Sequence, residues 1–501
     1  MRHLRSHDTV LGEVLRTWPH HQLGRRPSQA HTGGSDIEAN SGGHRRDGRG
    51  ALAPGTDCHD EGGAVRTRNG TACRGRLRPS RRRRSSSGLP SRRNATIPGK
   101  FHNIFRRMIT MAATPVRTEL HPLDGYRVLD FTQNVAGPLA GQVLADLGAE
   151  VIKIEPERGE AARHIVSMRS GTHTLAPYFI PNNRGKRSFV ADLRTADGVA
   201  AVLELVETAD VVLDGFRPGT MDAWGIGIEQ VRERNSRCIY ASLSAYGGNG
   251  ANGMKPGIDL IVQAESGVLT GLTETDGTPQ RIPFQLVDGA SGHVLAQAVL
   301  AALLHRERHQ VTTNVQVAMY DVAVSLQSNR LTDILDPAAG KSVSGAMRFA
   351  TAPSGIYRGA DGYFAMAAYI PKHWTRLAGL LGRTDFLDDP RFTTQQDRAR
   401  NSGELQEELG RIFEASRVDE TVALLSGAGL MACRVHSLSE VVASEVFAEN
   451  ELVITVGDET RRETTVRTPA RYSAFGLAAQ LPTPVLGEFQ PRSGAEQITR
   501  S

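Results

Sequence analysis

The chain of 501 residues carries 59 Lys and Arg against 54 Asp and Glu, and these charges are unevenly distributed. Residues 1–110 hold 22 basic and 8 acidic side chains, whereas residues 111–501 hold 37 basic and 46 acidic ones. The high isoelectric point therefore comes from the first segment alone, and the longer remainder is acidic. An acidic remainder without a basic or aromatic stripe argues against a nucleic-acid-binding function.

Residues 1–110 are rich in Arg, Gly, Pro and Ser and have no sustained hydrophobic period. This composition predicts a disordered basic tail, or a segment that precedes the true start of translation at Met111. A transit peptide is less favoured because eight acids interrupt the segment, and nucleic-acid binding by the tail is less favoured still.

The cysteines and the hydropathy pattern exclude further classes of protein. Cys58, Cys73, Cys238 and Cys433 show no C-x-x-C spacing, so we expect neither a disulfide framework nor a zinc site. His59 adjoins Cys58, but a fourth ligand at useful spacing is missing. The apolar run at 294–304 is too short to span a membrane. We therefore predict a cytoplasmic protein with no metal ion and no membrane contact.

From residue 124 onward, strand and helix patterns alternate along the chain. Strands are predicted at 127–131, 150–155, 188–193, 211–216 and 238–244, and helices at 136–149, 198–208 and 228–235. Strand, helix and strand within about thirty residues form a βαβ unit. The pattern predicts an α/β fold with a Rossmann-like sheet. No G-x-G-x-x-G or P-loop sequence is present, which argues against simple NAD binding and nucleotide hydrolysis.

An apolar run at 281–287 stops at Asp288, and a long helical pattern follows as far as the charged cluster at 305–309. This predicts a strand that leads into a helix, with Asp288 at the junction, where α/β folds expose reactive groups. The helix is apolar on every side and is predicted to be buried, with its first amides, near Gly289 to Gly292, directed at Asp288. The alternative is an ordinary turn or N-cap role for Asp288.

After Tyr320 the pattern changes to a hairpin around Asp361-Gly362 and a group of short helices, with Trp374 and Phe386 predicted as core. The chain is too long for one hydrophobic core, so more than one domain is expected. The predicted large domain occupies 121–320 and is followed by a linker at 321–344 and a small α+β domain at 345–425. Residues 426–501 are predicted to return through Cys433 and to complete the large domain.

Several motifs occur in the order found in the class III CoA-transferases, the group of the formyl-CoA, carnitine and benzylsuccinate CoA-transferases. They are Asp130-Phe131-Thr132 with Ala136-Gly137-Pro138, the run from Leu144 to Pro156, Gly185-Lys186-Arg187-Ser188, the run from Asp214 to Gly219, the run from Asp259 to Gly267, and the run from Val315 to Asp321. The chain resembles this family over about 121–450. The resemblance implies a Rossmann-like, CoA-binding large domain, a smaller α+β domain and an intertwined homodimer.

The resemblance also implies a role for Asp288. In the family, the Asp at this position is the nucleophile that carries CoA as an aspartyl-CoA thioester, from an acyl-CoA donor to a small carboxylic acid acceptor. The reaction uses the CoA thioester as substrate and implies no tightly bound cofactor. Asp259 matches the second acid close to the nucleophile, and its alternative role is a cap for the helix that begins at Leu260.

The same resemblance assigns the CoA contacts. Lys186 and Arg187 match the basic pair that faces CoA, Val135 and Ala136 belong to the matching loop, and Lys255 is a predicted phosphate partner near Asp259. Each of the three cations has the alternative of being a solvated surface residue.

Departures from particular relatives narrow the activity. Val135 replaces the Gln of the oxalate-using members, and residues 338–345 lack the glycine run that covers the active site there. The alternative activity is that of an α-methylacyl-CoA racemase, which needs two acid/base groups. The racemase His is Ile258 here, and His293 lies in a different motif.

Overall fold

The computed structural model of the chain describes residues 120–166, 176–248, 250–271, 277–335, 351–479 and 481–490. The predicted tail at 1–110, with Cys58 and Cys73, and the loop at 338–345 lie outside the described residues. All described residues belong to one compact unit.

A six-stranded parallel sheet forms the centre of the large domain. Its strands are β1 (Arg127–Asp130), β2 (Glu150–Glu155), β3 (Arg187–Val190), β4 (Val211–Asp214), β5 (Ile239–Ser244) and β6 (Val315–Ala318). They are arranged in the order β3-β2-β1-β4-β5-β6, which is the doubly wound Rossmann order. The α/β prediction is confirmed, and the sequence order reverses between β1 and β4.

The sheet is buried on both faces, as expected for strands that read as continuous apolar runs. In β1, Val128 belongs to one hydrophobic core while Leu129 belongs to the other. The neighbouring strand β2 repeats the alternation with Val151 and Ile152, which pair with those two residues in register. Because successive side chains of a strand point to opposite faces, one short strand contributes to two cores.

Helices connect these strands and cover both faces. They are α1 (Ala136–Asp146), α2 (Ile180–Asn183), α3 (Ala196–Val206), α4 (Thr220–Ala223), α5 (Ile228–Arg234), α6 (Asp259–Glu265), α7 (Leu286–His309), α8 (Met319–Ser325) and α9 (Ser328–Leu335). Helices α8 and α9 occupy part of the predicted linker at 321–344, so its first half is largely helical.

The predicted strand before Asp288 is absent from the described residues. The segment 281–285 is irregular, and α7 begins at Leu286, so Asp288 lies inside the first helical turn. The edge of the sheet beside β5 is taken by β6, and the Ile282 amide instead donates to the Gln263 side chain. The segment therefore has no strand partner to make it β structure.

Helix α7 is also not buried on every side, because Val294 and Leu304 are exposed while Leu295 and Val299 lie in the core. With 24 residues it is longer than the sequence pattern indicated, and among the described helices it alone has the length and hydropathy of a membrane span. Buried core helices meet the same criterion, and 44% of its apolar window is buried within the protein.

The smaller domain is built on an antiparallel sheet of β7 (Ser354–Gly359), β8 (Gly362–Ala367) and β9 (Met431–Arg434). Its helices are α10 (Pro371–Leu380), α11 (Asp385–Asp388), α12 (Gln395–Arg400), α13 (Ser402–Phe413) and α14 (Val418–Gly427). The predicted boundary at 425 is too early, because Cys433 pairs with Ala365 of β8 instead of leading back to the large domain. Trp374 and Phe386 are buried and stacked, as core residues should be.

The last described segment contains α15 (Leu438–Ala443), α16 (Glu445–Glu449), β10 (Val453–Gly457) and β11 (Arg462–Val466). It then runs along the large domain. The Ala478 amide donates to the Asp146 carbonyl at 2.9 Å, and the Phe489 amide donates to the Ser188 carbonyl at 2.9 Å. This last described segment therefore lies beside the end of α1 and beside β3.

Candidate active site

A cavity of about 550 Å³ opens at the carboxyl ends of β1, β4 and β5. Ligands of open α/β sheets bind where the strand order reverses, and β1 and β4 flank that point here. The loop at 132–137 follows β1 and the loop at 215–218 follows β4, and both line the cavity. Its remaining described walls are Ile165, Tyr178, Leu243 to Ala245, Gly253, Lys255 to Leu260, Gln263, Arg281, Ile282, Phe284, Gln285, Asp288 and Met319.

The two predicted acids meet in this cavity. Asp259 is the first residue of α6, and its Oδ1 accepts hydrogen bonds from the backbone amides of Val287 at 2.8 Å and Asp288 at 3.0 Å. Asp259 therefore caps α7. The alternative predicted from the sequence was a cap for its own helix, α6. This cross-helix cap attaches the first turn of α7 to α6 and fixes the backbone that carries Asp288.

The Asp288 carboxyl is poorly solvated. Burial, followed by the negative charge of Asp259, raises the pKa of Asp288 to about 7. Among the described residues, no side chain or amide donates a hydrogen bond to its carboxylate, so nothing there offsets the desolvation. A carboxylate with this environment is a stronger nucleophile than one in water, and near neutral pH it still ionises readily.

The first turn of α7 has no amide left for a substrate. The Leu286 amide donates to the Phe284 carbonyl and the Gly289 amide donates to the Gln285 carbonyl, both at 2.9 Å, while Asp259 takes the two amides between them. The predicted oxyanion donors near Gly289 to Gly292 are therefore not available, because those residues lie within the helix.

The open helix terminus at the cavity is that of α1. Val135 at its N-cap provides no side-chain hydrogen bond, Pro138 has no N–H, and among the described residues no acceptor meets the amides of Ala136 and Gly137. Val135 and Ala136 line the cavity, as their predicted role requires. Free amides and the positive end of a helix dipole suit an anion or a developing oxyanion.

Close packing brings this terminus beside the nucleophile. A Cβ atom on Gly292 of α7 would lie 2.6 Å from the Ala136 carbonyl oxygen and 2.9 Å from Leu139 Cβ. Only a glycine allows α1 and α7 to approach this closely. Gly292 lies one helical turn after Asp288, so the contact fixes the start of α1 against the helix that carries the nucleophile.

Buried charges support the loop before α1. Asp130 accepts from the Thr132 amide at 3.0 Å, Lys153 Nζ donates to the Thr132 carbonyl at 2.8 Å, and the Asn134 amide donates to Glu160 at 2.7 Å. Burial opposes the charge on Asp130, but the neighbouring Lys186 and Lys153 outweigh it and lower the pKa of Asp130. The loop that lines the cavity is thus held by a paired ionic network.

Lys186 belongs to this network and does not line the cavity. Its Nζ donates to Asp130 at 2.7 Å, to the Pro138 carbonyl at 2.8 Å and to Asn183 at 2.9 Å, which uses all three donors of an ammonium group. Burial lowers the pKa of Lys186 to about 8. Lys186 has no donor left for CoA in this arrangement, so its predicted CoA contact is not supported, and its hydrogen bonds instead stabilise the start of α1.

Arg187 lies at the amino end of its strand, whereas the cavity lies at the carboxyl ends of the strands. It begins β3, pairs with Glu150 at the start of β2 at 2.8 Å, and stacks over Phe489. In a parallel sheet all strands start on one side and end on the opposite side, and the first and last residues of a four-residue strand are about 10 Å apart. Arg187 therefore does not reach the cavity in this chain, and its predicted CoA contact is not supported.

Three other cations do line the cavity. Lys255, as predicted, is one of them, although its Nζ also pairs with Glu265 at 3.0 Å. Arg217 and Arg281 are exposed there, and within the described residues neither has an ion pair or side-chain hydrogen bond. Neither arginine is among the predicted site residues, although the position of Arg217 just after a strand end was a usable signal.

Comparison with known proteins places the chain in a family. The model of CoA-transferase family III matches residues 123–489. The chain is 53% identical over 384 residues to the probable fatty acyl-CoA transferase Rv3272 of Mycobacterium tuberculosis, covering 75% of this chain and 98% of that protein. It is 32% identical over 385 residues to the succinate–glutarate CoA-transferase of Agrobacterium fabrum, covering 75% and 96%.

Solved structures agree. A crystal structure of Rv3272 superimposes with a TM-score of 0.67 at 54% identity, covering 74% of this chain and 98% of that one. A CAIB/BAIF family protein from Brucella suis superimposes with a TM-score of 0.65 at 31% identity, covering 74% and 97%.

Proposed function

Since this chain belongs to CoA-transferase family III and is therefore a CoA-transferase, we propose that Asp288 carries CoA from an acyl-CoA donor to a carboxylic acid acceptor as an aspartyl-CoA thioester. The observation that carries the proposal is the half-buried Asp288 carboxylate, which meets no donor among the described residues and lies in the cavity at the sheet switch point. A poorly solvated carboxylate without a hydrogen-bond donor has no evident structural purpose.

The reaction proceeds by four displacements. The Asp288 carboxylate attacks the donor thioester carbon, the C–S bond breaks, and CoA thiolate leaves a mixed anhydride. The thiolate attacks Asp288 Cγ and the donor acid departs as its carboxylate, which leaves aspartyl-CoA. The acceptor carboxylate then attacks Cγ and releases the thiolate, which attacks the acceptor acyl carbon and frees Asp288. Protons and redox equivalents balance, because each step exchanges one anion for another.

Each displacement passes through a tetrahedral oxyanion that needs hydrogen-bond donors. We assign this role to the amides of Ala136 and Gly137, since they are the open amides at the α1 terminus and the first turn of α7 is occupied. Removal of one such donor typically costs about 100-fold or more in rate.

The CoA phosphates carry several negative charges and need cations. Arg217 and Lys255 line the cavity from the β4 and α6 sides and are the proposed phosphate partners in place of Lys186 and Arg187. A guanidinium matches phosphate oxygens in two-point geometry, so Arg217 suits this role.

Racemase activity has less support. Proton exchange at an α-carbon needs a base on each side, but Ile258 occupies the position next to Asp259 and, within the described lining of the cavity, there is no His or Lys besides Lys255. His293 is exposed on α7 outside that lining. Incubation of a chiral 2-methylacyl-CoA in deuterated water should give no exchange at the α-carbon.

We also propose that the chain acts as a homodimer. Large apolar side chains are exposed in this region. Ile258 and Phe284 line the cavity, Met254 and Ile261 are next in sequence to residues that line it, and such a group is typical of an interface. Size-exclusion chromatography with light scattering should give twice the chain mass, and a monomer would contradict the proposal. Cytoplasmic location and the lack of a tightly bound cofactor stay predictions.

The names of the relatives differ in their acyl groups, so a screen of donors comes first. Acyl-CoA donors from aliphatic to dicarboxylic should be tested with carboxylate acceptors. With the best pair, Asp288→Ala and Asp288→Asn should lose transfer while the exposed-helix variant Asp197→Asn keeps it. Donor plus hydroxylamine should label Asp288 as a hydroxamate in the wild type. A label on Asp259, or full activity of Asp288→Ala, would show that the nucleophile is misassigned.

A further inference from the structure

A second side chain of α6, that of Gln263, is linked to the start of α7 through Asp259. Gln263 lies four residues after Asp259, on the same face of the helix, and is 1% exposed. Its Nε2 donates to Asp259 Oδ2, and its Oε1 accepts from the Ile282 amide at 3.2 Å. One amide group therefore joins α6, the segment 281–285 and, through Asp259, the first turn of α7.

We propose that Gln263 is a positioning residue for CoA transfer, one that fixes the Asp259 carboxylate against the amides of α7 and so fixes where Asp288 stands. The inference rests on the proposed function, because it gives Gln263 importance only if Asp288 is the nucleophile. Although Gln263 belongs to the cavity lining, both ends of its amide are taken by Asp259 and Ile282, so it acts through Asp259 and not on the reacting atoms.

The two ends of the amide cannot be exchanged. Asp259 presents only acceptors, and the Ile282 N–H presents only a donor, so the nitrogen must face Asp259 and the oxygen must face Ile282. Glutamate lacks the donor, and methionine lacks both groups. Of the side chains with this length, glutamine alone completes both bonds.

Loss of the Gln263 donor would release Asp259. The Asp259 side chain lines the cavity, so a freed carboxylate can turn towards water and away from the Val287 and Asp288 amides. Those amides would then lack partners in a part-buried place, and the first turn of α7 would loosen. The Ile282 amide would also lose its acceptor, which frees the segment that carries Gln285, a partner of Tyr178 at 2.5 Å.

The test is to exchange the hydrogen-bond donor and acceptor between residues 259 and 263. Asp259→Asn sets an amide nitrogen against the Gln263 nitrogen, and Gln263→Glu sets two carboxylates against each other. The double variant Asp259→Asn/Gln263→Glu reverses the bond: Asn donates to Glu, Asn oxygen still accepts from the α7 amides, and Glu still accepts from Ile282. It also restores the total charge.

We expect kcat of each single variant to fall on the order of 100-fold, the usual effect of a misplacement of about 1 Å, with KM for the acyl-CoA donor unchanged. The double variant should recover at least about tenfold of this loss. Gln263→Met, which is neutral and similar in size, should lose kcat like the single variants. Gln327→Met is the matched control, since the Gln327 side chain also hydrogen-bonds to two residues, by donating to the carbonyls of Ser266 and Ala323, but lies outside the cavity lining.

Thermal midpoints identify variants that fail to fold. A folded Gln263→Met or Gln263→Glu with wild-type kcat would overturn the inference, as would a folded double variant no faster than the single ones. If the wild type transfers CoA with none of the donor and acceptor pairs, the proposed function itself is wrong. If the wild type transfers CoA and the Gln263 variants do so equally well, only the inference about Gln263 is wrong.

Discussion

Replacement of Asp288 by Asn is expected to stabilise the folded protein at alkaline pH while it abolishes transfer. The Asp288 carboxyl has a pKa of about 7 in the folded state, because burial and the charge of Asp259 disfavour ionisation, against 3.8 for an unperturbed Asp. The folded state thus binds the Asp288 proton more tightly than the unfolded state does. Between these two pKa values, each rise in pH lowers the free energy of unfolding.

The size of the effect follows from the shift. One pKa unit corresponds to about 1.4 kcal/mol, so ionised Asp288 costs at most about 4 kcal/mol at pH 8. Asp288 keeps part of its surface in water, which reduces this value. Asn cannot ionise, so between pH 5 and pH 8 the stability of Asp288→Asn should rise relative to the wild type by about 1–3 kcal/mol.

Urea unfolding followed by circular dichroism at both pH values measures this difference. Asp197→Asn, an exposed change in the first turn of α3, is the control and should show no such dependence. A variant that is less stable than the wild type at pH 8, or a difference that is the same at both pH values, would refute the argument that Asp288 is a desolvated carboxyl.

Three further predictions follow from the same residues. The value of kcat/KM should fall about tenfold per pH unit below about pH 7, because the ionised Asp288 is the attacking form; a limb near pH 4 would contradict the raised pKa. Gly292→Ala should cost about 1–3 kcal/mol of stability in chemical unfolding by forcing α7 from α1, whereas Gly289→Ala, with nothing near its Cβ position, should not destabilise the fold. Removal of residues 1–110 should leave solubility and transfer activity intact in the donor screen, and loss of either would give the basic segment a structural role.

The elements of the large domain were largely readable from the sequence. Predicted strands near 127–131, 150–155 and 211–216 correspond to β1, β2 and β4, because a strand buried on both faces is a continuous apolar run whatever lies beside it. The run at 281–287 has the same local pattern but became an irregular segment and a helical turn. The apolar pattern of this run does not show whether a neighbouring strand is available to pair with it.

Asp288, Asp259, Val135, Ala136 and Lys255 were placed at one site by the order of motifs, and all five line the cavity. Their spacing along the chain did not reveal how they act. Asp259 caps a helix that begins 27 residues later, and Gln263 holds it there, although an Asp and a Gln four residues apart on a helix could have suggested that pair.

By itself, then, the sequence determined the strand and helix order, the acidic pair and the family, since these depend on periodicity and motifs within short stretches. Only the tertiary structure decided the partners of the charges. Lys186 is buried because Asp130, 56 residues away, lies beneath the same helix start, and Arg187, its neighbour in sequence, faces the opposite edge of the sheet. A side chain's exposure and partners depend on residues that the chain brings together only on folding, and Lys186 lies just before β3 whereas Arg187 is its first residue.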